Sequence, residues 1–141
     1  VSNDFVMNLD IAPTMLEAAG VAIPKDEQGQ SMLPLLKDKK AKGREAVYYH
    51  YYENGEHAVS PHFGVRTKRY KLVRFYTRVS SWELYDLQKD PSEMHNLYGQ
   101  KGYEKVTEQM KIQLNKSIDQ YDDQDAKRIL EEGKLNPALK K

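Results

Sequence analysis

The sequence predicts an α+β fold, a small four-stranded antiparallel sheet packed by a long C-terminal helix and preceded by a helical segment. Three observations predict it. From Ala46 the texture turns to aromatic and β-branched residues in short runs, "AVYYHYYE", "HFGVRT", "YKLVRFY" and "SWELYDL". The links between successive runs are short, which favours antiparallel pairing in a meander. Between about Tyr103 and Tyr121, apolar or small residues recur in steps of three and four, at Tyr103, Val106, Met110, Leu114, Ser117 and Tyr121. That stripe marks the long helix that can cover one face of the sheet.

The elements follow in order. "NLDIAPTMLEAAGV" reads as a short helix, with Asp10 as its cap, Pro13 in the first turn and Gly20 at its end. Ile11, Met15, Leu16 and Ala19 give it one apolar stripe. "SMLPLL" reads as a helical turn capped by Ser31, and "KDKKAKGRE" as a solvated charged linker. Asn54-Gly55 bounds the first strand as a turn signal. The second and third strands join tightly around Lys68-Arg69. In "WELYDLQKDPSEMHNLY", Trp82, Leu84, Tyr85 and Leu87 alternate across two sheet faces, and Leu97 and Tyr98 pin the following loop back onto them. "DPSE" within it reads as a capping box, Asp90 the cap, Pro91 the first helical position and Glu93 reaching back. A short second helix and a mobile polar tail close the chain.

The 141 residues fit one domain of ordinary size. Hydrophobic residues make up 39% and charged residues 30%, while ten tyrosines add apolar area that the count partly hides. A net charge of +1 argues against a polyanionic partner for the chain as a whole. The charge is unevenly spread, however. Between His57 and Glu83 no acidic residue occurs, while Arg66, Lys68, Arg69, Lys71, Arg74 and Arg78 all do. Such a stretch is either an edge studded with cations against aggregation or a wall facing an anionic ligand. The absence of cysteine excludes disulfides, thiolate metal sites and a cysteine nucleophile. No apolar run approaches the ~20 residues of a membrane span. The start "VSNDFVMNLD" carries no initiator methionine or signal peptide and suggests a piece of something longer.

Complete active-site motifs are missing. His50, His57, His62 and His95 share no zinc-like spacing. There is no G-x-S-x-G and no Gly-rich phosphate loop. The pair Asp122-Asp123 reads as a solvated face after the helix. On the basic strands, His62 and Arg66 share one face because an even number separates them, and Gly64 lies between. A glycine there allows close approach of a ligand or another backbone, or marks a bulge.

"NLDIAPTMLEAAGVAIPKDEQGQSMLPLL", followed by "HFGVRTKRYKLVRFY" and "WELYDLQKDPSEMHNLY", resembles the C-terminal end of type I, formylglycine-dependent sulfatases of the alkaline phosphatase superfamily. It is most similar to bacterial glycan sulfatases of the N-acetylglucosamine-6-sulfatase and iduronate-sulfatase kind, from about Leu9 to Tyr121. The resemblance implies that residues 1–42 close the large α/β domain and that 43–141 form the smaller C-terminal subdomain. It implies that the parent hydrolyses sulfate esters of a glycosaminoglycan-type glycan, with formylglycine and Ca²⁺ in an upstream domain. The C/S-x-P-x-R motif that becomes formylglycine is absent here, since "SPHFG" lacks the arginine. This part would therefore have no catalytic residues, no metal and no turnover.

By position in the resemblance, His62 is the first candidate for substrate binding, then Arg66, with His57 and the Tyr51–Glu53 region, including Glu53, behind them. An alternative role for His62 is a strand-end histidine bonded to backbone. The implied partners are the missing catalytic domain and a sulfated carbohydrate, with a dimer through uncovered surface as a further option. The implied location is periplasmic or extracellular. From the residues alone, a second reading is a nucleic-acid- or polyanion-binding module using the basic aromatic sheet from Arg66 to Arg78.

Overall fold

A computed structural model describes residues 3–38 and 40–135. The polar tail expected to be mobile lies outside the described residues. The chain divides into two compact units, Val1–Glu45 and Ala46–Lys141.

In the first unit a 3-10 turn, Asn8–Asp10, leads into α1, Ile11–Ala18, and a short α2 spans Leu33–Lys37. Asp10 does not cap α1 with its side chain, contrary to the expectation from sequence. Its carboxylate accepts from the Met7 amide at 2.8 Å and the Gln30 amide at 2.9 Å, and pairs with the Arg44 guanidinium. Arg44 is thus no part of a solvated linker: its side chain is 6% exposed and that of Asp10 3%. Thr14 Oγ1 accepts from the Met32 amide at 2.9 Å, so α1 and α2 are tied through side chain to backbone. Ser31 Oγ accepts from the Leu33 amide at the start of α2. The expected apolar stripe on α1 is not buried, since Ile11 and Met15 are 54% and 67% exposed. Proline 13 fills the interior instead.

The second unit is the expected α+β layer. Strands β1 (Ala46–Tyr51), β2 (His62–Thr67), β3 (Tyr70–Tyr76) and β4 (Ser80–Asp86) form one antiparallel sheet in the order β1-β2-β3-β4. Helices α3 (Glu104–Gln120) and α4 (Gln124–Leu135) follow. Strand alternation sends Tyr48, Phe63, Val65, Leu72 and Leu84 to one face, where Met110, Leu114 and Ile118 of α3 and Ala126 and Ile129 of α4 complete the core. Phe63, Val65, Leu72 and Leu84 are fully buried. Burying a side chain of this kind stabilises by roughly 1.5–3 kcal/mol.

The link between β1 and β2 departs from a tight hairpin. It runs through residues 52–61, and Asn54-Gly55 lies inside this longer loop. Register passes through Gly64 without a bulge, pairing it with Tyr49 on β1 and Val73 on β3. The glycine is needed for close approach: a Cβ there would sit 2.7 Å from Tyr49 Oη and collide with the Leu72 carbonyl. Gly64→Ala is accordingly expected to cost about 1–3 kcal/mol, read as a lower urea midpoint with unchanged slope.

The stretch after β4 is a joint of another kind than the expected capping box. No helix follows Asp90; its carboxylate accepts from the His95 amide at 2.8 Å. Glu93 sits at φ 55 and turns its carboxylate to Lys71 on β3, so it cannot reach back to Asp90. The pinning of the loop is as expected. The Leu97 amide donates to the Leu84 carbonyl at 2.8 Å, and the Tyr98 ring stacks on Trp82 at 5.7 Å. Asn96 completes it, accepting from the Leu84 amide and donating to the Trp82 carbonyl, each at 3.0 Å. This satisfies part of an edge strand that would otherwise be open to pairing.

Candidate functional site

The face of the sheet opposite α3 carries Tyr49 and Tyr51 from β1, His62 and Arg66 from β2, and Lys71 and Phe75 from β3, by the period of two. At one end of this face the 52–61 loop gathers three of the sequence-predicted residues. The Tyr51 hydroxyl donates to Glu53 Oε2 at 2.8 Å, and His57 Nδ1 lies 3.0 Å from the same oxygen. The Glu56 amide donates to the other carboxylate oxygen of Glu53. The Tyr51 hydrogen bond, then that from the Glu56 amide, holds the Glu53 carboxyl below the usual carboxylate range. Glu53 therefore organises its own loop.

His62 stands beside this cluster. Its ring lies 5.5 Å from that of Tyr51, 4.9 Å from Phe75 and 5.8 Å from Tyr49. Nδ1 donates to the Ser60 carbonyl at 2.8 Å, the backbone-bonded histidine considered from sequence. That bond also orients the ring and leaves the Nε2 lone pair without a partner among the described residues. A half-buried imidazole walled by three aromatic rings can accept a sugar hydroxyl while an aromatic ring meets the sugar's apolar face. Arg66, by contrast, is not brought to the cluster. Four residues along the strand place it about 13 Å from His62, exposed, opposite Val47 and Lys71.

The basic run does not form one surface. Arg69 bonds Asp86, with Nη2 to Oδ2 at 2.8 Å, and Lys71 pairs with Glu93. The Arg69 hydrogen bonds hold the Asp86 carboxyl below its ordinary range. Arg74 is buried on the helix-covered face, opposite in sense to Arg66 and Lys71. Strand alternation and local pairing thus dissolve the stripe that a nucleic-acid reading requires.

Sequence reasoning missed a buried polar network on the helix side. Asp123, read as solvated, has a side chain only 7% exposed, whereas Asp122 is exposed. Its Oδ2 accepts from His50 Nδ1 at 2.6 Å and the Tyr48 hydroxyl at 2.7 Å, and its Oδ1 accepts from the Ala126 amide at 2.9 Å. His50 Nε2 in turn accepts from the Tyr76 hydroxyl at 2.7 Å. Burial pushes the Asp123 carboxyl up, but the hydrogen bonds from Ala126, His50 and Tyr48 more than offset it and hold it below its ordinary value. The signal in the sequence was Asp123 three residues before Ala126, an N-cap spacing for the last helix. Among the described residues, no group of three or more His, Asp or Glu is placed to hold a metal ion. No described helix is long and apolar enough to cross a membrane.

This meander with its helical cover occurs in known proteins. One solved structure, described as in complex with its substrate D-glucosamine-2-N,6-O-disulfate, superposes with a TM-score of 0.80 at 44% identity, covering 84% of this chain and 25% of that one. Another, a 2-O GAG sulfatase, gives a TM-score of 0.69 at 31% identity over 81% of this chain. By sequence the chain is 43% identical over 128 residues to an N-acetylglucosamine-6-O-sulfatase of Bacteroides thetaiotaomicron, covering 88% of this chain and 23% of that protein. It is 33% identical to a Delta 4,5-hexuronate-2-O-sulfatase of the same organism, covering 78% of this chain and 23% of that protein. Fold and relatives define a sulfatase C-terminal region. The chain belongs to the family described as N-sulphoglucosamine sulphohydrolase, C-terminal, whose model matches residues 1–120. It spans about a quarter of the length of the relatives it matches.

Proposed function

We propose that the chain is the non-catalytic C-terminal part of a sulfatase that hydrolyses sulfate esters of a glycosaminoglycan-type glycan. The observation that carries this reading is the match to the glucosamine-disulfate-bound structure at TM-score 0.80, with 44% identity over most of the chain. Residues 1–42 act as the end of the large domain, and 43–141 as the C-terminal subdomain. The large apolar side chains left exposed in the first unit, Ile11, Met15 and Leu36 among them, support that role because such surface favours cover by further protein. The second unit shapes the substrate cleft. His62 is the leading contact, offering Nε2 to a sugar hydroxyl, while His57 and Glu53 order the adjoining loop and Arg66 reaches a more distant anionic group.

The nucleophile and metal belong upstream. The residues described here do not fit either: there is no cysteine, no complete formylglycine motif and no carboxylate cluster, so no step is assigned to them. The glycan reading places the parent in the periplasm or outside the cell.

Joined to its natural upstream sequence, the protein is expected to contain a C/S-x-P-x-R motif and to release sulfate from N-acetylglucosamine 6-sulfate. The 141-residue chain alone is expected to release none. In the joined protein, His62→Ala is expected to raise KM about three- to tenfold with kcat little changed, the loss of one substrate hydrogen bond. Turnover by the chain alone, or an upstream region without the motif, overturns the reading. An unchanged KM in the variant removes His62 from the cleft.

A further inference from the structure

Arg74 is a buried cation with only uncharged partners. It is 3% exposed, yet no carboxylate pairs with it among the described residues. Nη1 donates to the Ser81 carbonyl at 3.2 Å, Nη2 donates to Ser80 Oγ at 3.0 Å, and the guanidinium lies 5.5 Å from the Trp82 ring centroid. A guanidinium has five N–H donors, so these two bonds leave others uncommitted. Burying a charge without a counter-ion is costly, and a cation–π contact offsets only part of that cost.

The same side chain lines a cavity of about 310 Å³ between β3–β4 and α4. Tyr76, Thr77, Ser80, Arg128 and Glu132 line it too. The volume lies at the lower end of the range for small-molecule sites. Arg128 is bonded to Glu132 at 2.9 Å and to Asp125 at 3.3 Å, but its side chain is 59% exposed. Exposed pairs of this kind are weak, so the Arg128 head can exchange partners at little cost. Arg74 is fixed and Arg128 is movable, the two halves of a clamp for an oxyanion.

Glu132 decides what carries that oxyanion. A free inorganic anion entering the cavity is repelled by the carboxylate. A sugar bearing a sulfate or carboxylate can give its anionic group to the arginines and a ring hydroxyl to Glu132, with Thr77 as a further hydroxyl partner. We propose that this cavity is a binding site for one anionic saccharide residue, separate from the His62 face on the opposite side of the sheet. The choice of a saccharide rests on the glycan reading above, while the anion clamp itself does not.

The test is titration of the full 141-residue chain, followed by amide NMR, with glucosamine 6-sulfate, with unsulfated glucosamine and with inorganic sulfate. The expected result is saturable shifts at Thr77, Ser80 and the Arg128–Glu132 turn with the sulfated sugar, and about tenfold weaker binding of the other two ligands. Arg128→Gln, an exposed change that leaves the core intact, is expected to weaken the sulfated sugar about tenfold, and Glu132→Gln to narrow its advantage over inorganic sulfate. Arg74→Lys keeps the charge but loses the fork and is expected to weaken binding further. Its fold is checked by the dispersion of the same spectra. Absence of shifts at these residues, or undiminished binding by Arg128→Gln, overturns the proposal. Inorganic sulfate binding as tightly as the sugar overturns the saccharide assignment. These readouts need no turnover, so their failure is distinct from failure of the sulfatase reading.

Discussion

Asp123→Ala is expected to destabilise the second unit by about 3–5 kcal/mol, one of the two largest single-residue effects in this chain. Three losses combine. The Ala126 amide loses its N-cap acceptor, which alone costs about 0.5–2 kcal/mol. The His50 Nδ1 and Tyr48 hydroxyl donors are then buried without an acceptor, each costing about 1–3 kcal/mol. These terms share one site and do not add in full. Asp123→Asn keeps an acceptor for the cap and is expected to cost less, about 1–2 kcal/mol. Urea unfolding followed by Trp82 fluorescence measures both, because Trp82 lies on the core face of β4. A loss below about 1 kcal/mol for the alanine variant would return Asp123 to the solvated role its sequence neighbours suggest.

The same carboxylate makes the effect depend on pH, with a definite sign. Its folded pKa is depressed below the ordinary value near 3.8. A depressed carboxylate contributes stability that is complete above the unfolded value and is lost as pH falls through the folded one. The stability gap between the wild type and Asp123→Asn is therefore expected to be constant near neutrality and to narrow below about pH 4. A gap that widens on acidification would contradict this assignment.

The second large effect belongs to the first unit. Asp10→Ala removes the counter-ion of Arg44, whose side chain is almost as buried as that of Asp10. Breaking a buried pair from one side costs about 3–5 kcal/mol because the remaining charge is left uncompensated. It also frees the Met7 and Gln30 amides. This unit has no tryptophan or tyrosine, so amide hydrogen exchange is the measurement. The Met7, Gln30 and Met32 amides are expected to exchange at least about a hundredfold faster, with Leu72 and Val73 of the sheet unchanged. Equal acceleration in both units would show that Asp10 supports the whole chain rather than its own unit.

Much of the fold is legible without coordinates, and the reason is periodicity. The four strands coincide with four runs of aromatic and β-branched residues, and α3 coincides with the stripe from Tyr103 to Tyr121. Each is a local pattern whose spacing matches one backbone geometry. The return of Leu97 and Tyr98 onto β4 is legible for the same reason, apolar residues just beyond a turn. The misreadings share a different cause. Asp10, Asp90 and Glu93 each stand at a plausible cap spacing, yet their carboxylates are taken by Arg44, His95 and Lys71. An acceptor serves whichever donor the fold brings nearest, and spacing along the chain does not rank those donors.

The candidate site divides in the same way. Alternation along β2 puts His62, Gly64 and Arg66 on one face, as a period of two demands. It does not reveal that Tyr49 closes over Gly64, that Glu53 is spent on its own loop, or that Arg66 stands far from His62. Nor does it separate Arg74 from the other cations around it, although the pleat buries that one alone under α4. Residue texture and periodicity thus determined the α+β layer, and the three quoted stretches in their order carried the sulfatase resemblance of this chain. Which charged groups are paired, buried or left facing a cavity was decided only by tertiary structure, because electrostatic partners are chosen by distance in space and the strands and helices bring together residues up to 75 positions apart.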